Sequence, residues 1–203
     1  MSAYPLVLEG RALTAVVAGG GRIATRRAIG LLDAGARVHV VAPVVTPELE
    51  RAALSNPELR ITRAPFAPGH VADAMLVVVA TDDPEANALI AAQARALGRL
   101  VNAVGAPDQG NCLTPAVHRS GDITVAVTTG RVPTAAARIR DRLGRMLDDR
   151  YATAVRELSR LRRDLLNRGE RERWSTASTT LVGDEFCEHV ESGRFAERLA
   201  EWR

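Results

Sequence analysis

Short apolar, β-branched runs alternate with longer stretches of helical periodicity through the first half of the chain, the pattern of βαβ units around a parallel sheet. Ala12 to Ala18 reads as a buried strand, Ile23 to Ala34 as a helix and Arg37 to Ala42 as a second strand. Thr46 to Ser55 then reads as a helix, Leu59 to Arg63 as a short strand and Ala74 to Ala80 as the most apolar strand. With Pro84 to Leu97 as a helix and Leu100 to Val104 as another strand, this is half of a doubly wound α/β fold.

After Pro107 the pattern changes. The turn residues Asp108-Gln109-Gly110-Asn111 lead into a mixed polar and apolar segment, then Asp122 to Val127 as an alternating strand and Thr134 to Leu147 as a helix. Tyr151, Val155, Leu158, Leu161 and Leu165 recur at three- and four-residue spacing, which marks an amphipathic helix with arginines on its other face. A polar break is expected at Ser175 to Thr180, before a last helical stretch ending near Trp202. Three parts follow: residues 1–112 as the α/β domain, 113–150 as a small second unit, and 151–203 as a helical domain.

With 203 residues, 46% hydrophobic, the chain can bury one good core and a smaller helical appendage. No run approaches the roughly 20 apolar residues that cross a bilayer, and the opening MSAYPLVLEGR lacks a basic region followed by an apolar core, so a cytoplasmic protein without a membrane partner is expected. Cys112 and Cys187 stand apart, forming neither a disulfide framework nor a metal-ligand cluster, so no metal is expected. All 27 basic residues are arginine, which fits a coding bias better than a selected surface. Their distribution is more informative. Residues 1–112 hold ten arginines and ten acids, whereas residues 113–173 hold fourteen arginines against eight acids. Such a stripe suits a solvated helix, a nucleic-acid patch or a polyanionic small molecule. With 3% aromatic residues there is little to stack on bases and no nucleic-acid motif is visible, so a nucleic-acid partner is not expected.

The strongest chemical signal is Gly19-Gly20-Gly21-Arg22-Ile23-Ala24, a G-x-G-x-x-A pattern between a predicted strand and a predicted helix. Gly19 permits the tight turn, Gly21 lets the backbone approach a pyrophosphate, and Ala24 lets the helix pack closely on the strand. The free N–H groups at the helix start then face the anion. The second strand ends Val40-Val41-Ala42-Pro43, without the acid that usually binds ribose hydroxyls, so residue type alone leaves NAD and NADP both open. Asp83 with Pro84 reads as a helix cap and first helical residue. Thr81 and Asp82 fall at the carboxyl edge of the sheet, where open α/β folds bind ligands.

These residues are joined by Leu8-Glu9-Gly10-Arg11, Thr25-Arg26-Arg27, Val41-Ala42-Pro43, Ala80-Thr81-Asp82-Asp83 with Asn87, Asn111 with Pro115-Ala116, and Val127-Thr128-Thr129-Gly130 before Pro133. In that order and spacing, from Leu6 to about Leu147, the sequence resembles the precorrin-2 dehydrogenases, which occur alone or as the front module of siroheme synthases. The resemblance implies a Rossmann-like domain, a small α+β dimerisation unit and a C-terminal helical domain, assembled as a homodimer. It further implies NAD as cofactor and oxidation of the tetrapyrrole precorrin-2 to sirohydrochlorin. Carried over by position, cofactor contacts fall on Gly19, Gly21, Arg22, Ile23, Pro43, Val44 and Thr81. Asn102, Gly105, Asn111, Thr128 and Arg138 fall on the substrate side, Arg138 or Arg142 being candidates for the substrate's carboxylates.

One departure stands out. Bifunctional members that also insert metal have an aspartate just after the Asn-containing strand, and here that position is Gly105. Asp108 is the nearest carboxylate and so the candidate proton acceptor, although a turn residue is its plain structural role. Three rival readings stay open: a bifunctional dehydrogenase and ferrochelatase, a nucleotide-sensing domain without catalysis, and a silent relative that only binds.

Overall fold

Five short strands rich in valine and alanine form a single parallel sheet in the computed structural model, which describes residues 3–130 and 132–203. Met1, Ser2 and Arg131, the last within the Thr128 to Pro133 segment, lie outside the described residues. The strands are β1 (Thr14–Ala18), β2 (Arg37–Val41), β3 (Leu59–Thr62), β4 (Leu76–Val79) and β5 (Leu100–Ala103), in the order β3-β2-β1-β4-β5. The chain therefore moves outward from β1 twice, in opposite directions. The crevice between the ends of β1 and β4 is the switch point where ligands of such sheets bind.

The period-two alternation of the strands divides the core into two layers. Val17, Val38, Val40 and Val78 face Ala24 and Ala28 of α1 (Arg22–Asp33) and Leu49 of α2 (Pro47–Ser55). Val16, Ala18, Val77, Val79 and Val101 face Ile90, Ala91 and Ala94 of α3 (Pro84–Ala96). Short side chains on α1 and α3 let the helices sit close to the sheet. Asp83 caps its helix as expected, accepting from Glu85 N at 2.9 Å and Ala86 N at 3.1 Å, and Thr46, read as the first residue of its helix, is the N-cap instead, accepting from Leu49 N at 3.3 Å. Observed boundaries in this half differ from the expected ones by a residue or two at most element ends.

The chain divides into two compact units, one ending at Thr114 and the other spanning Pro115–Arg203. The second begins with an antiparallel hairpin of β6 (Ala116–Ser120) and β7 (Ile123–Val127), against which α4 (Pro133–Met146) packs. Then follow α5 (Asp149–Asn167), α6 (Arg171–Leu181), α7 (Phe186–Ser192) and α8 (Phe195–Ala200), closing on Tyr151, Leu161, Leu165, Leu181, Val190 and Phe195.

Two expectations are corrected here. Ala116–Ser120, read only as a mixed segment, is a strand; every residue but the exposed Arg119 is half-buried, so its alternation is faint, and its register is set by pairing with β7. The expected break at Ser175 to Thr180 lies wholly inside α6. There Thr176, Thr179 and Thr180 turn their hydroxyls back onto the carbonyls of Glu172, Ser175 and Thr176 at 3.1, 3.0 and 2.9 Å, while Ala177 and Leu181 anchor the helix in the core. The last helical stretch is interrupted instead at Gly193, which has φ +80°. Among the described residues no helix is long and apolar enough to cross a membrane.

Candidate functional site

The carboxyl end of β1 is pinched from both sides. Gly19 takes φ +120°, and a Cβ there would stand 2.3 Å from Ala80 O and 3.1 Å from Thr81 N, so the end of β4 lies against the turn. A Cβ on Gly20 would stand 2.0 Å from Val44 O, and Gly20 O accepts from Thr46 N at 3.1 Å, so the segment after β2 lies against it too. Gly21 differs: a Cβ there meets nothing within 4 Å. Two glycines make room for protein and the third borders open space.

Gly21 is also the N-cap of α1 and offers no side chain to its first N–H groups. Their uncompensated donors and the helix dipole face the open side of the turn, an arrangement suited to a pyrophosphate. Arg22 is exposed at the first helical position. Ile23 and Val44 are exposed apolar residues at 41% and 79%, on the two segments that flank the turn, and Pro43 is exposed beside them. No carboxylate stands between Val41 and Thr46. The chain thus has an anion cradle, an apolar flank and a close backbone approach, which together fit a dinucleotide.

The remaining polar groups near the turn are largely committed within the protein. Thr25 Oγ1 bonds to Gly21 O at 3.0 Å and lies 2.7 Å from Thr46 Oγ1, which joins α1 to the cap of α2. Thr81, expected at the cofactor, has its N–H and hydroxyl both accepted by Asn87 Oδ1, at 3.1 and 2.7 Å, while Asn87 Nδ2 donates to Thr81 O at 3.0 Å. Thr81 therefore meets the turn through its backbone. The sequence offers Asn87 only as part of a pattern; the signal for its role is its place in the first turn of α3, within reach of the loop before it.

Around β5, Asn102 is buried at 7% exposure, with Nδ2 donating to Cys112 O at 3.3 Å and Oδ1 left without a partner. Asn111 uses both ends of its amide on the strand edge: Oδ1 accepts from Val101 N at 2.6 Å and Nδ2 donates to Arg99 O at 2.9 Å. Gly105 has φ +79° and open space at its Cβ position. Asp108 is exposed in the single turn Pro107–Gln109. Thr128, after β7, and Arg138, on α4, are exposed residues of the second unit.

That unit also holds an open groove of about 640 Å³ along α5, lined by Arg156, Arg160, Arg162, Arg163 and Asp122 among others. It is a charged helical surface with none of the backbone donors that distinguish the glycine turn, and the candidate site is the latter.

The model of an NAD(P)-binding family matches residues 6–116. The siroheme synthase of Nitrosomonas europaea is 35% identical over 163 residues, covering 80% of this chain and 34% of that protein. That of Chromobacterium violaceum is 38% identical over 157 residues, covering 77% and 33%. The chain thus spans about a third of the length of these relatives. Among solved structures, SirC, a precorrin-2 dehydrogenase, superposes with a TM-score of 0.79 at 27% identity, covering 98% of this chain and 100% of that one.

Proposed function

This chain belongs to the NAD(P)-binding family whose model matches residues 6–116, and on that premise we propose that it is an NAD-dependent precorrin-2 dehydrogenase. The observation that carries the reading is the likeness to SirC over the full length of both chains. The siroheme synthases support the oxidation step, since this chain corresponds to about a third of their length.

In this reading Gly19, Gly21 and the first N–H groups of α1 hold the pyrophosphate, with Arg22 adding positive charge. Ile23, Pro43 and Val44 flank the adenosine, and Thr81 closes the cradle by its backbone. When bound, NAD supplies the hydride acceptor. The protein's own task is to hold the macrocycle and to manage the proton lost as conjugation extends. Asp108 is the proposed acceptor of that proton. Asn102, Gly105 and Asn111 are the proposed substrate residues of the first unit, Asn111 by fixing the edge of β5, and Thr128 and Arg138 are those of the second. The arginine-rich second unit complements the carboxylates of the macrocycle.

Residues 113–150 are proposed as the dimerisation unit of a homodimer, with residues 151–203 as the helical domain; Leu113, Ile139 and Met146 are exposed apolar side chains of the former segment. Light scattering at micromolar concentration decides this, and a monomer counts against it. A cytoplasmic location is proposed from the use of NAD and the two free thiols. Metal insertion is proposed to be weak or absent, because Gly105 stands where bifunctional relatives have a carboxylate. Anaerobic incubation with precorrin-2 and NAD tests the function itself: sirohydrochlorin is expected to accumulate, and binding without turnover would reduce the protein to a silent relative.

A further inference from the structure

Arg27 is the charged residue of the first unit that the fold leaves unexplained. Its Nε is sealed from solvent with no hydrogen-bond partner, and among the described residues no carboxylate forms an ion pair with it. Of the other sealed polar atoms of this unit, those of Arg99 and Asn102 belong to side chains tied down elsewhere, through the Ala72 carbonyl and Cys112 O, and that of Gln109 belongs to an uncharged amide. Burial, and then the like charge of Arg26, pull the Arg27 guanidinium below its ordinary value.

Its position narrows the explanation. A helix turns about 100° per residue, so Arg27 lies about 200° from Thr25. Thr25 touches Thr46 at 2.7 Å on the α2 side, and Ala24 and Ala28 face the sheet between the two flanks. Arg27 therefore lies on the other flank, over the β4 and β5 half of the sheet. There Asn102 pairs in register with Val78, whose side chain belongs to the layer under α1. The helix that packs on β5 is α3, and it does so on the opposite face. Helical side chains tilt back toward the N-terminus, which aims the arginine toward the end of α1 that carries Gly21.

An arginine that merely covers apolar surface keeps its head in water. Arg27 departs from that pattern at Nε, which is withdrawn without a partner, while its terminal nitrogens reach solvent and pair with no group among the described residues. A half-buried guanidinium whose Nε is left unpaired and whose fork is open to solvent without a counter-charge is suited to an anion from outside the chain. The phosphates are already served at the N-terminus of α1, and the adenosine flank is on the α2 side. We infer that Arg27 is the anchor for a carboxylate of the substrate, held in the bidentate fork of its terminal nitrogens, and so fixes the preference for a polycarboxylate macrocycle. The inference rests on the dehydrogenase reading and adds to it a substrate contact.

The test compares Arg27→Leu and Arg27→Lys with the unaltered protein in four measurements: melting temperature, NAD affinity by calorimetry, binding of uroporphyrin as a redox-inert polycarboxylate, and steady-state oxidation of precorrin-2. Removing an anchor that acts equally on substrate and transition state raises KM and spares kcat. For Arg27→Leu we expect uroporphyrin binding and the KM for precorrin-2 to worsen at least about tenfold. NAD affinity should be unchanged, and the melting temperature unchanged or higher, because an uncompensated charge is gone. Lysine, a point charge without the fork, should recover part of the loss. Unchanged KM and uroporphyrin affinity in Arg27→Leu overturn the inference, as does a lower melting temperature with NAD and macrocycle binding reduced alike. Absence of uroporphyrin binding and of turnover in the unaltered protein removes the dehydrogenase reading, and the inference with it. If the leucine variant does not fold, Arg27→Gln answers the same question.

Discussion

A methyl group on Gly19 would stand 2.3 Å from the carbonyl oxygen of Ala80, so the turn leaving β1 and the end of β4 share one wall. Gly19→Ala must move that wall and also adopt φ +120°, which side chains rarely tolerate. We expect a loss of roughly 2–5 kcal/mol of stability, read as a fall of the order of 10 °C in melting temperature. Gly21→Asp should behave oppositely. Its side chain enters open space and aspartate is a good N-cap, so stability should stay level or rise by a few tenths of a kcal/mol. The same carboxylate repels a pyrophosphate, and NAD affinity should fall at least about tenfold in calorimetry. Equal NAD binding by a folded Gly21→Asp protein would remove the assignment of the site.

Asn87 holds Thr81 by both ends of its amide, and Thr81 N lies 3.1 Å from where a Gly19 Cβ would be. Asn87→Ala should cost about 1–3 kcal/mol in stability for the lost hydrogen bonds. It should also weaken NAD binding several-fold at temperatures where the variant is fully folded. Asp148→Ala, which removes the cap of α5 in the other unit, is the control: it should lower stability and leave NAD affinity alone.

Gly105→Asp restores the carboxylate at a position with room for it, at a backbone cost of about 1 kcal/mol for φ +79°. Metal insertion into sirohydrochlorin should rise more than oxidation does, since chelation depends on removing protons from the ring cavity. Asp108→Ala should slow oxidation about tenfold to a hundredfold if its carboxylate takes the proton. Full activity in that variant leaves the proton to water, and strong metal insertion by the unaltered protein ends the proposed division.

His39 bonds through Nε2 to Thr62 Oγ1 at 2.8 Å and meets the His70 ring edge-on at 5.8 Å. Burial first, then Arg60 and His70, hold it below the ordinary histidine value. The unfolded chain therefore takes up a proton at a higher pH than the folded one. The stability associated with neutral His39 is present above about pH 6.5 and is lost as pH falls below it. Melting temperature should drop more between pH 7.5 and 5.5 in the unaltered protein than in His39→Gln. A steeper drop in the variant would reverse the sign.

How much of this was legible in the sequence follows from the range of the interactions. The glycine turn and the Asp83 cap depend on neighbours within a few positions, and they stand where the pattern suggests. Ser175 to Thr180 reads as a break because hydroxyl side chains disfavour helices in general, yet here Thr176, Thr179 and Thr180 each find a carbonyl one turn back and Ala177 finds a core. The commitment of the Asn111 amide to β5, across 10 and 12 positions, left no local trace. Arg27 did leave one: an arginine set among Ala24, Ala28 and Leu31, on the side of α1 that faces the sheet.

The most direct measurement of the central claim is a single anaerobic reaction in which sirohydrochlorin and NADH are followed together, with unaltered protein and with Gly21→Asp. The two products are expected to rise in equal amounts with the unaltered protein, and the variant, still folded, to form neither above the uncatalysed rate. Product formation without NADH, or equal turnover by Gly21→Asp, would contradict that claim.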